Sequence, residues 1–290
     1  MVPNLFIVIT DFNGFQQARN CLEALRKNVF QDFTVVVVDH GTTSETQQAL
    51  ERDYPDVVRI VGTPELWWTG ATNLGIRHAL SCGAELVMLL NNDCYVTPET
   101  IGELIELWRE NSQSVIAPVQ RDWKTGDILS ITPRSCFLMG FPTIPGPKTL
   151  TEAMYAQRLL PTRLIIGGRG VLIPASIFQE IGLFDERNLP HYGADHDFYL
   201  RAATRKWPFY VAARAIVDID NTRTSIAGNL SEMSFREWWL SLFNQRSHRS
   251  VTHAIALFKN HYPIKKIYLI GVLFYATRYL IVFFWQKIKQ

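Results

Sequence analysis

The stretch LLNNDCYV, residues 89–96, places two amides and a carboxylate, Asn91, Asn92 and Asp93, directly after an apolar run. A carboxylate flanked by amides is a hard oxygen donor set suited to Mg²⁺ or Mn²⁺. Magnesium usually takes one or two protein carboxylates and completes its shell with water and phosphate oxygens, so Asp93 alone fits a metal shared with a diphosphate. The same side chains can also cap backbone groups in a turn. A second chemistry is offered by YGADHDFYLR, where Asp195 and Asp197 stand two apart at a helix start. Their side chains diverge, so one can face a cleft while the other caps or orients. A partly desolvated carboxylate can act as general base towards a sugar hydroxyl, which would attack an anomeric carbon through an oxocarbenium-like transition state. Asp39, closing TVVVVD, can accept hydrogen bonds from a ribose hydroxyl or a pyrimidine N–H, with Thr10, Asp11 and Asn13 beside it. Trp67 and Trp68 in ELWWTGATNLG are either core or a platform for a sugar or base. Gly70 and Gly75 would let backbone approach a ligand, and Asn73 lies between them. Asp218 and Asp220 can close a metal or phosphate site or simply serve a turn, Arg201 can pair with a carboxylate, and His191 and His196 are polar contacts expected at the surface.

The elements that must position these groups follow from hydrophobic period. NLFIVIT (4–10), FTVVVVD (33–39), VVRIVG (57–62), ELVMLLN (85–91) and SVIAPV (114–119) read as strands. Helical patterns fall between them: about 15–29, one capped by Thr43 or Ser44, one ending at Gly83, and one opened by Thr97-Pro98-Glu99. Apolar strands alternating with helices predict an α/β fold with a mainly parallel sheet and right-handed crossovers. Ligands in such sheets bind outside the carboxyl ends of the strands, where Thr10 to Asn13, Asp39 and Asn91 to Asp93 would converge. Residues 120–160, rich in proline and glycine, suggest a long loop or lid, after which 164–186 returns to strand then helix.

The chain has 290 residues, 47% hydrophobic, with 29 basic and 27 acidic side chains and a formal net charge of +2. That size allows one large domain plus an appendage, and the charge gives no nucleic-acid field. Cys21, Cys82, Cys94 and Cys136 are scattered without a CxxC pair, as expected of reduced cytosolic thiols. The N-terminus lacks the pattern of a signal peptide. Composition divides the chain into 1–230 and an aromatic, basic region 231–290, whose run from Ile267 to Trp285 carries Arg278 and is flanked by Lys265, Lys266, Lys287 and Lys289. It barely reaches a spanning length, so a helix lying at the membrane interface, its Trp238, Trp239 and Trp285 near anionic headgroups, competes with an ordinary buried helix pair.

Taken in order, TDFNG, VVVVDHGTTSET, TGATNLGIRHAL, LLNNDCYV, GGRGVLIPASIFQEIGLFDE and YGADHDFYLRA resemble the family 2 glycosyltransferases, inverting enzymes of GT-A (Rossmann-like) fold, over roughly residues 3–225. The paired tryptophans look most like the rhamnosyltransferase-like branch of bacterial surface polysaccharide synthesis. The resemblance implies a dTDP- or UDP-linked sugar donor contacted by Thr10, Asp11, Asn13, Asp39, Trp68, Gly70, Asn73 and Asn92. It implies Asp93 as the metal-binding last acid of a DXD-type motif and Asp195 as catalytic base, with Trp67, His191 and Asp197 towards a glycan or lipid-linked acceptor. Two positions depart from the family pattern: Asn91 replaces the first acid, and Ala194 replaces the acid before the base. A late metal-binding histidine is replaced by Asp218 and Asp220. The location implied is the cytoplasmic side of a membrane. A sugar nucleotidyltransferase is a rival, without the Gly-rich basic phosphate loop it would carry. A noncatalytic carbohydrate- or lipid-binding module is another, and a dinucleotide oxidoreductase lacks its GxGxxG.

Overall fold

A computed structural model of the chain describes residues 3–41, 45–222 and 232–288. The first half winds as β1 (Leu5–Asp11), α1 (Phe15–Arg26), β2 (Thr34–Asp39), α2 (Glu45–Asp53), β3 (Val58–Val61), α3 (Trp67–Ser81) and β4 (Leu86–Asn91). β1 pairs in parallel with both β2 and β4, and β2 with β3. In β1, Leu5, Ile7 and Ile9 join the core under α1, while Phe6 and Val8 join the core under α3. Burial on both faces is what an unbroken apolar run in a parallel strand provides. Thr43 and Ser44, the expected caps of α2, lie outside the described residues.

The second half is mixed. β5 (Cys94–Val96), α4 (Thr100–Glu110) and β6 (Val115–Asp122) precede the region expected to be a long loop. That region instead forms β7 (Ile128–Ser130), β8 (Arg134–Cys136), β9 (Phe141–Ile144), α5 (Glu152–Gln157) and β10 (Leu159–Pro161). These pieces are too short to show a period in sequence and gain their backbone partners from β6, β12 or each other. β11 (Arg169–Pro174), α6 (Ala175–Ile181), α7 (Ala194–Thr204) and β12 (Phe209–Ile219) complete the sheet, in the order β10-β12-β6-β11-β4-β1-β2-β3. β11 runs antiparallel to both β4 and β6, so the mainly parallel sheet expected is made of β3-β2-β1-β4 and of β6 with β12, and β11 is the insertion between them.

Among the described residues three α-helices follow: α8 (Phe235–Ser241), α9 (Val251–His261) and α10 (Tyr268–Ile288). The expected boundary at residue 230 falls inside 223–231, outside the described residues. α9 and α10 pack closely at Gly271, where an added Cβ would lie 2.4 Å from Tyr262 Cε2. They also join the sheet-bearing part of the chain. Phe137 packs edge-on to Phe258 at 5.1 Å, and the buried Asp197 of α7 accepts hydrogen bonds from His261 Nε2 (2.8 Å) and Asn260 Nδ2 (3.2 Å) of α9.

Candidate active site

The carboxyl ends of β1 and β4 open onto a cavity of about 930 Å³ whose other walls come from the start of α7, the strand-β11 loop, α9 and α10. Register places Thr10 opposite Asn91 and Asp11 opposite Asp39, which aligns the polar strand ends. Their side chains then divide the work. Trp68 Nε1 donates to Asn91 Oδ1 (2.9 Å), and Asn92 Nδ2 donates to Asp11 Oδ1 (2.8 Å). Asp11 is fully buried and also accepts from Thr46 Oγ1 (2.7 Å). Burial holds its carboxyl above the ordinary range against those hydrogen bonds. The two amides thus brace the lip of β4, and Asp93 lines the cavity.

Asp195 enters from the first turn of α7, after Gly193, whose φ of 87° makes the turn that aims the helix start at the cavity. Its Oδ2 accepts from the Gly167 N–H (2.7 Å), and its Oδ1 lies 3.2 Å from His196 Nδ1. Burial pushes the Asp195 carboxyl up, but the imidazolium of His196, with the hydrogen bonds from His196 and Gly167, prevails and holds it down at about 2. His196 responds in the opposite sense: burial lowers it, and the Asp195 charge raises it above its ordinary value. Its Nε2 is hydrogen-bonded to Thr143 Oγ1. The surface position expected for His196 is therefore corrected, because it is enclosed as the partner of Asp195. His191 is likewise enclosed, tilted against Trp67 at 5.8 Å.

Both tryptophans line the cavity. Trp67 has φ 51° and ψ −170°, a strained backbone for a bulky residue, and strain of this kind gathers where a side chain must be aimed. Trp68 stands edge-on to Phe184 (5.8 Å), and the backbone of Gly168 passes under it, where a Cβ would lie 3.0 Å from Cζ2.

Other candidates go elsewhere. Asp39 sits at the strand end beside the cavity, and its Oδ2 accepts from Arg59 Nε (3.1 Å) and Nη2 (2.9 Å). Asn13 takes φ 51° in the turn facing Gly41. Neither Gly70 nor Gly75 is a ligand approach: Gly70 packs on Leu66, and Gly75 on Val8 and Val38. Asn73 is buried and bonds the Phe184 backbone through N–H (3.1 Å) and carbonyl (2.9 Å) and Glu186 Oε2 (2.9 Å), anchoring the chain before α7. Asp197, expected on the acceptor side, points under α9 and binds Arg201 Nε at 2.7 Å. Asp218 is held by both guanidinium arms of Arg121 (2.6 and 2.9 Å), and Asp220 by Gln17 Nε2 (3.1 Å) and the Tyr95 hydroxyl (3.2 Å).

Those engagements bear on the metal. Among the described residues no group of three or more His, Cys, Asp or Glu side chains gathers around one point. Asn91 is bound to Trp68 and Asp218 to Arg121, so the ligand set expected from them is not assembled. Asp93 fits a divalent ion that brings water and diphosphate oxygens as its remaining ligands, rather than a ready-made cage.

Residues 6–180 match the family described as glycosyl transferase family 2. The chain belongs to that family. A stretch of 123 residues, 40% of the chain, is 26% identical to the teichoic acid poly(glycerol phosphate) polymerase of Staphylococcus epidermidis, and the chain spans only 16% of that protein. Among solved structures, the mannosyltransferase PcManGT from Pyrobaculum calidifontis with GDP-Man and Mn²⁺ superposes with a TM-score of 0.60 at 14% identity, over 97% of this chain and 75% of that one. S. aureus TarS 1–349 with UDP-GlcNAc gives 0.56 at 14% over 96% and 73%, and GalNAc-T7 with UDP, GalNAc and Mn²⁺ gives 0.63 at 13% over 75% and 44%. These likenesses establish the GT-A fold expected from the sequence for this family 2 chain. The family match ends at 180, before α7 begins, so the GGRG loop at 167–170 falls inside it and the carboxylate of Asp195 outside it.

Sequence reasoning missed several cavity residues. Arg169 and the glycines around it were legible as GGRG but were given no role. Tyr192 and His196 lie in the YGADHDFYLR motif and Arg278 stands out in its apolar run, but none was given this cavity, and Arg246, His248 and His253 line it without any local pattern to announce them.

Proposed function

We propose that the chain is an inverting glycosyltransferase that moves a sugar from a nucleotide diphosphate sugar to a hydroxyl of a glycan or lipid-linked acceptor. The observation that carries this is the meeting of Asp93 and Asp195 on one cavity with both tryptophans. In the proposed reaction Asp93 would hold a divalent ion beside the donor diphosphate, and such an ion, when bound, would supply charge neutralisation for the leaving group. Trp68 supplies an apolar ring face to the donor, and Trp67 with His191 borders the acceptor. Asp195, ionised throughout the neutral range, receives the acceptor hydroxyl proton. A carboxylate of low pKa is a weak base, so the proton moves late, once bonding of the oxygen to an oxocarbenium-like carbon has made the O–H acidic. Attack from the side opposite the diphosphate gives inversion.

The finer reading is a dTDP- or UDP-linked donor, L-rhamnose by the paired tryptophans, used in surface polysaccharide synthesis such as that of O-antigen. It places the enzyme on the cytoplasmic face of the membrane, with α8–α10 towards lipid. A thermal-shift screen of nucleotide sugars with and without Mn²⁺ identifies the donor. With that donor, Asp195→Asn lowers kcat by about 10²–10⁴-fold, the span of general base catalysis, while nucleotide affinity stays within about twofold. Turnover near wild type in that variant removes Asp195 from the role of base.

A further inference from the structure

The cavity has a cationic wall that the transfer chemistry does not use. Arg169, on β11, also lines the cavity, and its Nη1 donates to Gln120 Oε1 (3.0 Å). Arg246 and Arg278 come from the C-terminal region. Arg278 lies over the rings of Phe141 (4.6 Å), Tyr279 (4.7 Å) and Tyr275 (5.4 Å), and Arg246 over Trp67 (5.5 Å). Both line the cavity, and among the described residues neither has a carboxylate within 4.0 Å. A chain of ring contacts connects them: Trp67 to His191 at 5.8 Å, His191 to Tyr192 at 4.5 Å, Tyr192 to His248 at 6.5 Å, and His248 to Tyr279 at 6.1 Å.

His253 is the decisive group. It is 6% exposed, lines the same cavity, and neither ring nitrogen has a hydrogen-bond partner. A buried imidazole with both nitrogens unmatched is rare in folded proteins and is a group awaiting one. Burial, then the charges of Arg249 and Arg278, lower His248 to about 4, so that it is neutral at physiological pH. The wall thus offers two fixed guanidinium charges and neutral imidazoles. Guanidinium groups bind several oxygens of one anion in a planar fork, a geometry that suits phosphate.

We propose that Arg246, His248, His253 and Arg278 form a binding site for a phosphate ester carried by the acceptor. This rests on the glycosyltransferase reading, and it gives α9 and α10 a role in acceptor choice. The phosphate can belong to a lipid headgroup or to a soluble phosphorylated glycan, and both present the same dianion or phosphodiester.

The test uses the full chain and reads binding, not turnover. Calorimetric titration with glycerol 3-phosphate is compared with glycerol, and sedimentation with phosphatidylcholine vesicles containing phosphatidic acid is compared with the same vesicles containing diacylglycerol. Wild type is expected to favour the phosphate-bearing probe at least tenfold in one of the two arms, and the arm that responds identifies the soluble or lipid-borne source. The double variant R246Q/R278Q, checked for an unchanged unfolding transition, should lose that preference while keeping nucleotide diphosphate affinity within twofold. Equal binding of phosphate and alcohol probes by wild type in both arms overturns the proposal without any variant. An equal loss of nucleotide affinity in R246Q/R278Q also overturns it, because the arginines would then serve the donor. Unaltered turnover in Asp195→Asn would sink the transfer mechanism and leave this binding result standing on its own.

Discussion

At the residue scale, the pairing of Asp195 with His196 makes the protonation of one depend on the other. The carboxyl is held below 3.8, at about 2, so its stabilising contribution is complete above its unfolded value and is lost only as pH falls through about 2. His196 is raised, so its contribution is complete below 6.5 and is lost as pH rises through its folded value. The wild-type kcat/KM profile is therefore expected to show no acid limb from Asp195 above the pH of acid unfolding. His196→Gln removes the charge that opposes burial, leaving the Gly167 N–H as the main restraint, and Asp195 must rise. An acid limb should then move up into the measurable range, and an unchanged profile would detach His196 from the base. Asp93 and Asp195 were legible as candidates because they stand at a strand end and a helix start, where an α/β sheet presents its ligand site, although local capping is an equal use for acids there. Asp218, Asp197 and Asn73 were equally polar and equally well placed in sequence. What distinguishes them is Arg121, 97 residues from Asp218, and the Phe184 backbone, 111 residues from Asn73. A single sequence does not display such distant partners.

At the element scale, α3 shows how one residue type serves opposite purposes. Gly75 looked like a place for ligand to approach backbone, yet an added Cβ would lie 2.4 Å from Val8 Cγ1 and 3.1 Å from Val38 Cγ2. It sets the distance at which α3 packs on β1 and β2. Gly75→Ala is expected to destabilise by about 1–3 kcal/mol through overpacking, with nucleotide affinity unchanged in the folded protein. Gly70→Ala meets Leu66 Cδ2 at 3.2 Å and Cβ at 3.3 Å, with nothing closer than 3.0 Å, and should cost less. A comparison of the two melting transitions checks this, and equal transitions would reject the packing account. The β1–β4 half was readable because long apolar strands and amphipathic helices keep their periods whatever surrounds them. β11 was readable as a strand but not as antiparallel, since direction comes from which neighbours it joins. β7–β10 were not readable at all, their few residues being held by β6, β12 and one another.

At the scale of the whole molecule, α10 connects the cavity to the outside. Its inward side holds Val272, Tyr275 and Phe283 in the core, and Arg278 reaches the cavity, so the charge that made a membrane helix costly is taken up by protein. Its outward side leaves Leu273 62% and Ile281 63% exposed, with Leu269, Phe284 and Trp285 beside them and Trp239 and Phe243 of the α8 region nearby. The helix Lys265–Ile288 is long and apolar enough, by length and composition, to cross a bilayer, and little of it is buried. A spanning helix would have to leave α9 and withdraw Arg278 into hydrocarbon, whereas a helix lying in the interface keeps both contacts and places its outer face in lipid. Lys265, Lys266 and Lys287 at its ends suit anionic headgroups. The full chain should therefore sediment with phosphatidylglycerol vesicles and be released by alkaline carbonate, which strips in-plane helices and leaves spanning ones. Leu273→Glu with Ile281→Glu should weaken sedimentation at least tenfold, since each substitution replaces apolar contact of roughly 1.5–3 kcal/mol with a charge. Resistance to carbonate would mean that α10 spans, and Arg278 would then be absent from the cavity. Soluble behaviour of the wild-type chain would leave the apolar face to a protein partner. Release by carbonate together with loss in the double variant would hold the open end of the cavity at the headgroup layer, within reach of a lipid-borne acceptor.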